Sequence, residues 1–139
     1  MNTFAKTAAA AALALAGPAT HAAAQQVEFP EKCRSDISAG GTAAMDEMMP
    51  SANMTDYQHG YMEGMKKMMP NMMHGIMKDD ADVAFICGMI AHHMGSIAMA
   101  RVELEHGDND YAKETAQKMI DRQIKDIQEM SDWVEQEVK

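Results

Sequence analysis

The chain has 139 residues and is acidic, with 21 Asp and Glu against 12 Lys and Arg for a formal charge of −9, and it holds 17 methionines beside a single Trp. That charge balance argues against nucleic acid or an anionic membrane surface as a partner. The length provides for one packed core rather than two.

Lys6 precedes an uncharged apolar stretch over residues 8–17, followed by Pro18 and small residues through Ala24. A basic head, a short apolar segment and a small-residue cleavage region read as a secretory signal peptide over residues 1–24, cut after Ala22 or Ala24. The apolar stretch is too short to span a bilayer, so no membrane insertion is expected, and the mature protein is predicted to be soluble and periplasmic. Lys6 is the only charge in that segment, so its loss takes the formal charge from −9 to −10. Attraction of metal cations is compatible with this balance, as it is for many acidic exported proteins.

Residues 25–54 show little periodicity and are punctuated by Pro30, Gly40, Gly41 and Pro50, which predicts an irregular segment with room for one short helix over 42–49. Thr55 and Gln58 have the form of a capping box, opening a first helix that runs from about residue 56 toward 69, where Pro70 is expected to break or kink it, the piece after it being free to continue as a bent turn or two. Tyr61, Met65, Met68, Met69, Met72 and Ile76 fall on one side at helical spacing, so this face is almost entirely thioether.

Asp79, Asp80 and Asp82 suit the N-terminus of a second helix over about 81–106, with Gly107 as its stop. One side carries Val83, Ile86, Ile90, Ile97 and Leu104; another carries Phe85, Met89, His92, Ser96, Met99 and Glu103, with His93 at the edge between them. A helix apolar on most of its circumference is predicted to be the central one. The third helix starts after Asp108 or Asn109 and runs to about Val138, with Ala112, Ala116, Met119, Ile120, Gln123, Ile124, Ile127, Met130, Val134 and Val138 as its inner stripe. Short connections predict an antiparallel pair of the second and third helices with the first laid across it, an all-α bundle of three or four helices. Cys33 and Cys87 have three readings: a disulfide, which an exported protein permits, a buried thiol at Cys87, or a thiolate ligand.

Methionine is the compositional anomaly, because eleven of the seventeen lie between Met45 and Met77. Packing explains Met119 and Met130, which stand singly among isoleucines, but not Met45, Met48, Met49 and Met54, which lie near prolines and acids with little core to fill. A neutral thioether is a soft ligand, suited to copper(I) or silver(I) and poor for zinc, calcium or magnesium. It also cannot be lost to disulfide formation in an oxidising compartment, although it can be oxidised to the sulfoxide. The competing use of so many methionines is a groove for an amphipathic peptide or protein helix.

On the second helix Met89 lies three residues before His92 and four before His93, and Met99 two turns beyond His92, so these four residues are the sharpest ligand candidates. Adjacent helical residues diverge by about 100°, so the two histidines need not share an ion; one is free to take a hydrogen bond from or to Glu103, Gln123 or Asp126. His74 beside Met72, Met73 and Met77 is the next candidate, followed by Met65, Met69, His59 with Met62, and the looser group Met45, Met48 and Met49. His106, at a helix C-terminus, reads as a dipole partner. Catalysis is not expected: Glu103 and His106 form Glu-x-x-His only once, where a di-iron bundle needs it twice, and no serine elbow or phosphate loop occurs.

The segments FICGMIAHHMGSIAMARVELEHG and AQKMIDRQIKDIQEMSDW, with Met89, His92-His93, Ile97, Met99-Ala100, Gln123, Ile127, Met130 and Trp133 in order, resemble the DUF305 family over about residues 56–138. Where that family commonly has Glu-Ile after the glutamine, this chain has Asp126-Ile127, which shortens the acid and keeps its charge. The resemblance implies ferritin-like helical packing over residues 55–139, a role in periplasmic copper binding and tolerance, Met89, His92, His93 and Met99 as the motif positions, and no enzymatic reaction. The stretch to Pro50 lies outside it and reads as an added metal-collecting arm. The expectation is a copper(I) and silver(I) buffer or carrier that passes its ion to an exporter or a carrier protein.

Overall fold

The computed structural model describes residues 27–36 and 53–139. The predicted signal peptide, the optional helix over 42–49 and Met45, Met48 and Met49 lie outside the described residues. Three helices carry the fold: α1 (Asp56–Ile76), α2 (Ala81–His106) and α3 (Asp110–Glu137), preceded by a single 3-10 turn at Glu31–Cys33. No strand occurs among the described residues.

Each helix opens on the cap its sequence announces. The Thr55 hydroxyl accepts from the Gln58 amide while the Gln58 side chain accepts from the Thr55 amide, closing the capping box of α1. Asp80 accepts from the amides of Asp82 and Val83 at the start of α2, and Asn109 accepts from Ala112 at the start of α3. Gly107 ends α2 in an extended conformation, its amide bonded to the Glu103 carbonyl at 2.8 Å.

Of the two outcomes open at Pro70 the break does not occur, and α1 continues to Ile76. A proline inside a helix costs about 3 kcal/mol, and here packing on both sides of it outweighs that cost. Gly60 and Gly64 seat against Val102 and Ala98 before the proline, and Gly75 seats against Cys87 and Gly88 after it. The same pairs show that α1 runs antiparallel along α2 for its whole length rather than across it. The only buried residues of α1 are Gly64 and Gly75, so this helix joins by close approach and contributes no large core side chain.

The core belongs to the other two helices: Ile90, Ala91, Ile97 and Ala100 of α2 meet Ala116, Ile120, Ile127 and Val134 of α3. Both α1 and α3 pack on α2, and neither packs extensively on the other. α2 is therefore central, as its apolar circumference predicts, yet it is not enclosed. Its most apolar window has a mean hydropathy of 1.5, sufficient by length and composition for a membrane span, while only 33% of that window is buried.

One side of α2 is covered by residues 27–36, which act as a strap. Phe29 and Cys33 enter the core, and Cys33 is disulfide-bonded to Cys87, which selects one of the three readings of the cysteines. The strap is fastened to all three helices: Lys32 Nζ donates to the Glu135 carbonyl of α3 at 2.7 Å, the Ser35 amide donates to His74 Nδ1 of α1 at 3.3 Å, and the disulfide ties it to α2. Lys78, just past α1, donates in turn to the carbonyls of Lys32 and Arg34.

Candidate metal site

The strap defines a front, and helical spacing then defines the back of the molecule. Cys87, Met94, Ile97 and Arg101 of α2 face the strap side, Cys87 through the disulfide and the others around a cleft that also holds Val27. At about 100° per residue, Phe85, Met89, His92, Ser96, Met99 and Glu103 form the opposite stripe. This stripe is open: Phe85 is 64% and Met99 50% exposed, His92 is exposed, and Met89 is half-buried.

α1 lays a second stripe beside it. Tyr61, Met65, Met69, Met72 and Ile76 recur at helical spacing on one face, and both ends of that face meet the α2 stripe. Tyr61 lines a cleft with Glu103 at one end, and at the other Ile76 lies against Gly88, the α2 neighbour of Met89. With Gly64 level with Ala98 and Gly75 level with Gly88 in this antiparallel pair, Met65 stands level with Ile97, two residues short of Met99, and Met72 about level with Ala91, next to His92. Met65 is 37% exposed, while Met69 and Met72 are half-buried. The back of the molecule thus carries thioethers on two adjoining helices and one exposed imidazole.

The two histidines part company. Their rings are 6.1 Å apart between centroids and inclined by 69°. His92 faces solvent on the open stripe, whereas His93 turns toward α3, its Nδ1 2.8 Å from the Met89 carbonyl and its Nε2 3.7 Å from Asp126 Oδ2. A carbonyl only accepts, so Nδ1 carries the proton in that contact and the lone pair of a neutral ring lies on Nε2. Gln123 and Asp126 line the same cleft as His93, and Gln123 Oε1 is buried without a hydrogen-bond partner. Glu103 sits at the far end of the open stripe with Tyr61 and His106 and makes no contact with either ring.

Of the remaining candidates, His74 sits on the strap side, bound to Ser35, away from the open stripe. Met73 and Met77 are 37% and 53% exposed toward the end of α1, and His59 and Met62 lie near its beginning, His59 exposed and Met62 half-buried. Two methionines outside the predicted set are better placed than several within it. Met119, expected to serve packing, is 40% exposed and lines the cleft of His93. Met94 lines the front cleft with Met68. Their signal in the sequence was proximity alone, Met119 one turn before Gln123 and Met94 next to His93. Among the described residues no three His, Cys, Asp or Glu side chains stand together as a metal-holding group.

A family model described as "Domain of unknown function (DUF305)" matches residues 6–134. The match begins well before residue 56, so the strap with Phe29 and Cys33 falls inside it, as does the stretch to Pro50 that the sequence resemblance left out. No curated protein matches the chain.

Proposed function

The chain belongs to the DUF305 family, and from that premise we propose that it is a periplasmic protein that binds copper(I), and silver(I) in its place, on the open face of α1 and α2, as a buffer or carrier without catalytic activity. The family's description supplies no reaction, so the reading stands on the residues. One observation carries it: the uncovered side of the central helix bears Met89, His92 and Met99 with Met65, Met69 and Met72 alongside, where a solvated helix face would bear charge.

The donor set suits the ion. Copper(I) is soft and is held by thioether sulfur and imidazole. A thioether has no proton to lose, so binding through sulfur persists in mild acid, where a ligating imidazole must first be deprotonated. Half-exposed sulfurs on an open face also suit capture and release to a partner, an exporter or a carrier protein, better than an enclosed site does.

Titration of the mature protein under anaerobic conditions against a chromogenic copper(I) chelator tests this, with silver(I) soaked into crystals to locate the sites. His92→Ala and the pair Met89→Leu, Met99→Leu are expected to lower copper(I) affinity while leaving helix content unchanged. Retention no better than that of a methionine-poor helical protein sinks the reading. Exposure of Phe85 at 64% favours one alternative, docking of an amphipathic helix on the same face; that reading requires a partner that binds without metal and whose binding falls in Phe85→Ser.

A further inference from the structure

We infer that His93, Gln123 and Asp126 form a second cation site between α2 and α3, separate from the thioether face and chemically harder, fitted to a borderline divalent ion of the zinc(II) and copper(II) class. This does not depend on the thioether reading.

The first argument is the direction of lone pairs. His93 Nδ1 donates to the Met89 carbonyl at 2.8 Å, which leaves Nε2 of the neutral ring as a lone-pair atom aimed across the interhelical cleft. The atom facing it is Asp126 Oδ2 at 3.7 Å, also a lone-pair atom. That separation is too long for a hydrogen bond. Two ligands at about 2.0–2.1 Å from one tetrahedral ion stand about 3.3 Å apart, so a few tenths of an ångström of side-chain movement brings the pair to bridging distance.

The second argument is the amide. Gln123 lies three residues before Asp126, on the same face of α3, and lines the same cleft as His93. Its Oε1 is buried and accepts from no donor, an arrangement proteins avoid unless something else supplies positive charge. A cation against His93 and Asp126 would supply it. Imidazole nitrogen with carboxylate and amide oxygen is the donor set of a borderline divalent ion, and it lacks the sulfur that copper(I) prefers. The Nδ1 bond to the Met89 carbonyl orients the imidazole as backbone acceptors commonly do for metal-bound histidines.

The neighbours do not block the site. Arg122 Nε stands 3.7 Å from the same Asp126 oxygen, but Arg122 is 83% exposed and can swing into water. Lys118 is engaged by Glu114, Thr115 is neutral, and Met119 lies at the rim of the cleft. The competing arrangement is a charged His93 paired directly with Asp126, with no ion between.

Zinc(II) separates the two sites, because thioethers bind it poorly. The untagged mature protein titrated calorimetrically with zinc(II) alone is expected to take one ion per chain. His93→Gln and Asp126→Asn each weaken that binding by about 10-fold or more, while His92→Ala and the pair Met89→Leu, Met99→Leu leave it within about 2-fold; copper(I) titration of the same variants shows the opposite ranking for His92, Met89 and Met99. In long-range ¹H–¹⁵N spectra of the unaltered protein, zinc(II) shifts the His93 Nε2 resonance and not those of His92, a readout that needs no variant to fold. Absence of stoichiometric zinc binding, zinc binding insensitive to Asp126→Asn, or a zinc-induced shift at His92 instead of His93 each overturns the inference; the first of these would leave the direct His93–Asp126 pair as the explanation of the geometry.

Discussion

Replacing Gly75 with Ala puts helix propensity and packing in direct opposition. In an isolated helix the change gains about 0.5–1 kcal/mol, because glycine loses more backbone freedom on folding than alanine. In this protein the added Cβ would lie 2.7 Å from the Cys87 carbonyl carbon and the Gly88 nitrogen and 2.9 Å from the Cys87 oxygen. All three are backbone atoms in the second turn of α2, beside the disulfide, and no rotamer change relieves them. α1 must lift away, and overpacking of this kind costs about 1–3 kcal/mol, here toward the upper end. The net expectation is about 1–2 kcal/mol of destabilisation, or a fall in Tm of about 4–8 °C for a domain of this size. Gly95→Ala is the matched control, since its Cβ meets only the side chain of Met68, a flexible thioether that can move aside; its net effect is expected to stay within about 1 kcal/mol. Urea and thermal melts followed by far-ultraviolet circular dichroism measure both. A Gly75→Ala protein as stable as the parent, or less perturbed than Gly95→Ala, refutes the claim that α1 is held by backbone approach to α2.

Reduction of the disulfide, or the Cys33→Ser, Cys87→Ser pair, should cost up to about 4 kcal/mol from the loop it closes, read as a drop in urea midpoint with dithiothreitol; an unchanged midpoint would mean the disulfide contributes nothing. Asp80→Ala removes the acceptor for two α2 amides and is expected to cost about 1 kcal/mol, checked by the same melts. Ser35→Ala leaves His74 with one bond from the strap, the Ser35 amide, and should change copper(I) affinity by less than about 2-fold, since His74 lies away from the open face; a large loss would bring His74 into the site.

Helix identities, caps and the central place of α2 were legible because each rests on local chemistry: Thr55 with Gln58, Asp80 before the apolar run, Asn109 before Asp110. At Pro70 the sequence left a break and a continuation both open, because the outcome depends on glycines fifteen residues apart finding matching small surfaces on another helix. Spacing alone gave the divergence of His92 and His93, but it could not tell which one turned toward α3. That needed the Asp126 carboxylate, which is brought opposite by the turn after Gly107. The strap was legible only at Cys33, through the disulfide reading; the rest was hidden because residues 27–36 carry no periodicity and their other fastenings use backbone carbonyls and a single buried phenylalanine. The open face was legible as a stripe and illegible as a surface, since a heptad of apolar residues looks alike whether a neighbour covers it or not.

The strap touches all three helices on one side, and α1 and α3 meet each other mainly through α2 and that strap. The molecule is therefore bound like a book along one spine, with its pages free at the other edge. Spreading of α1 away from α2 is opposed along the helix contact by the glycine seats and at the front by residues 27–36. Lys32, Ser35 and Cys33, none of which faces the thioethers, hold that spine, while Gly60, Gly64 and Gly75 set how near α1 brings Met65 and Met72 to the stripe of Met99 and His92.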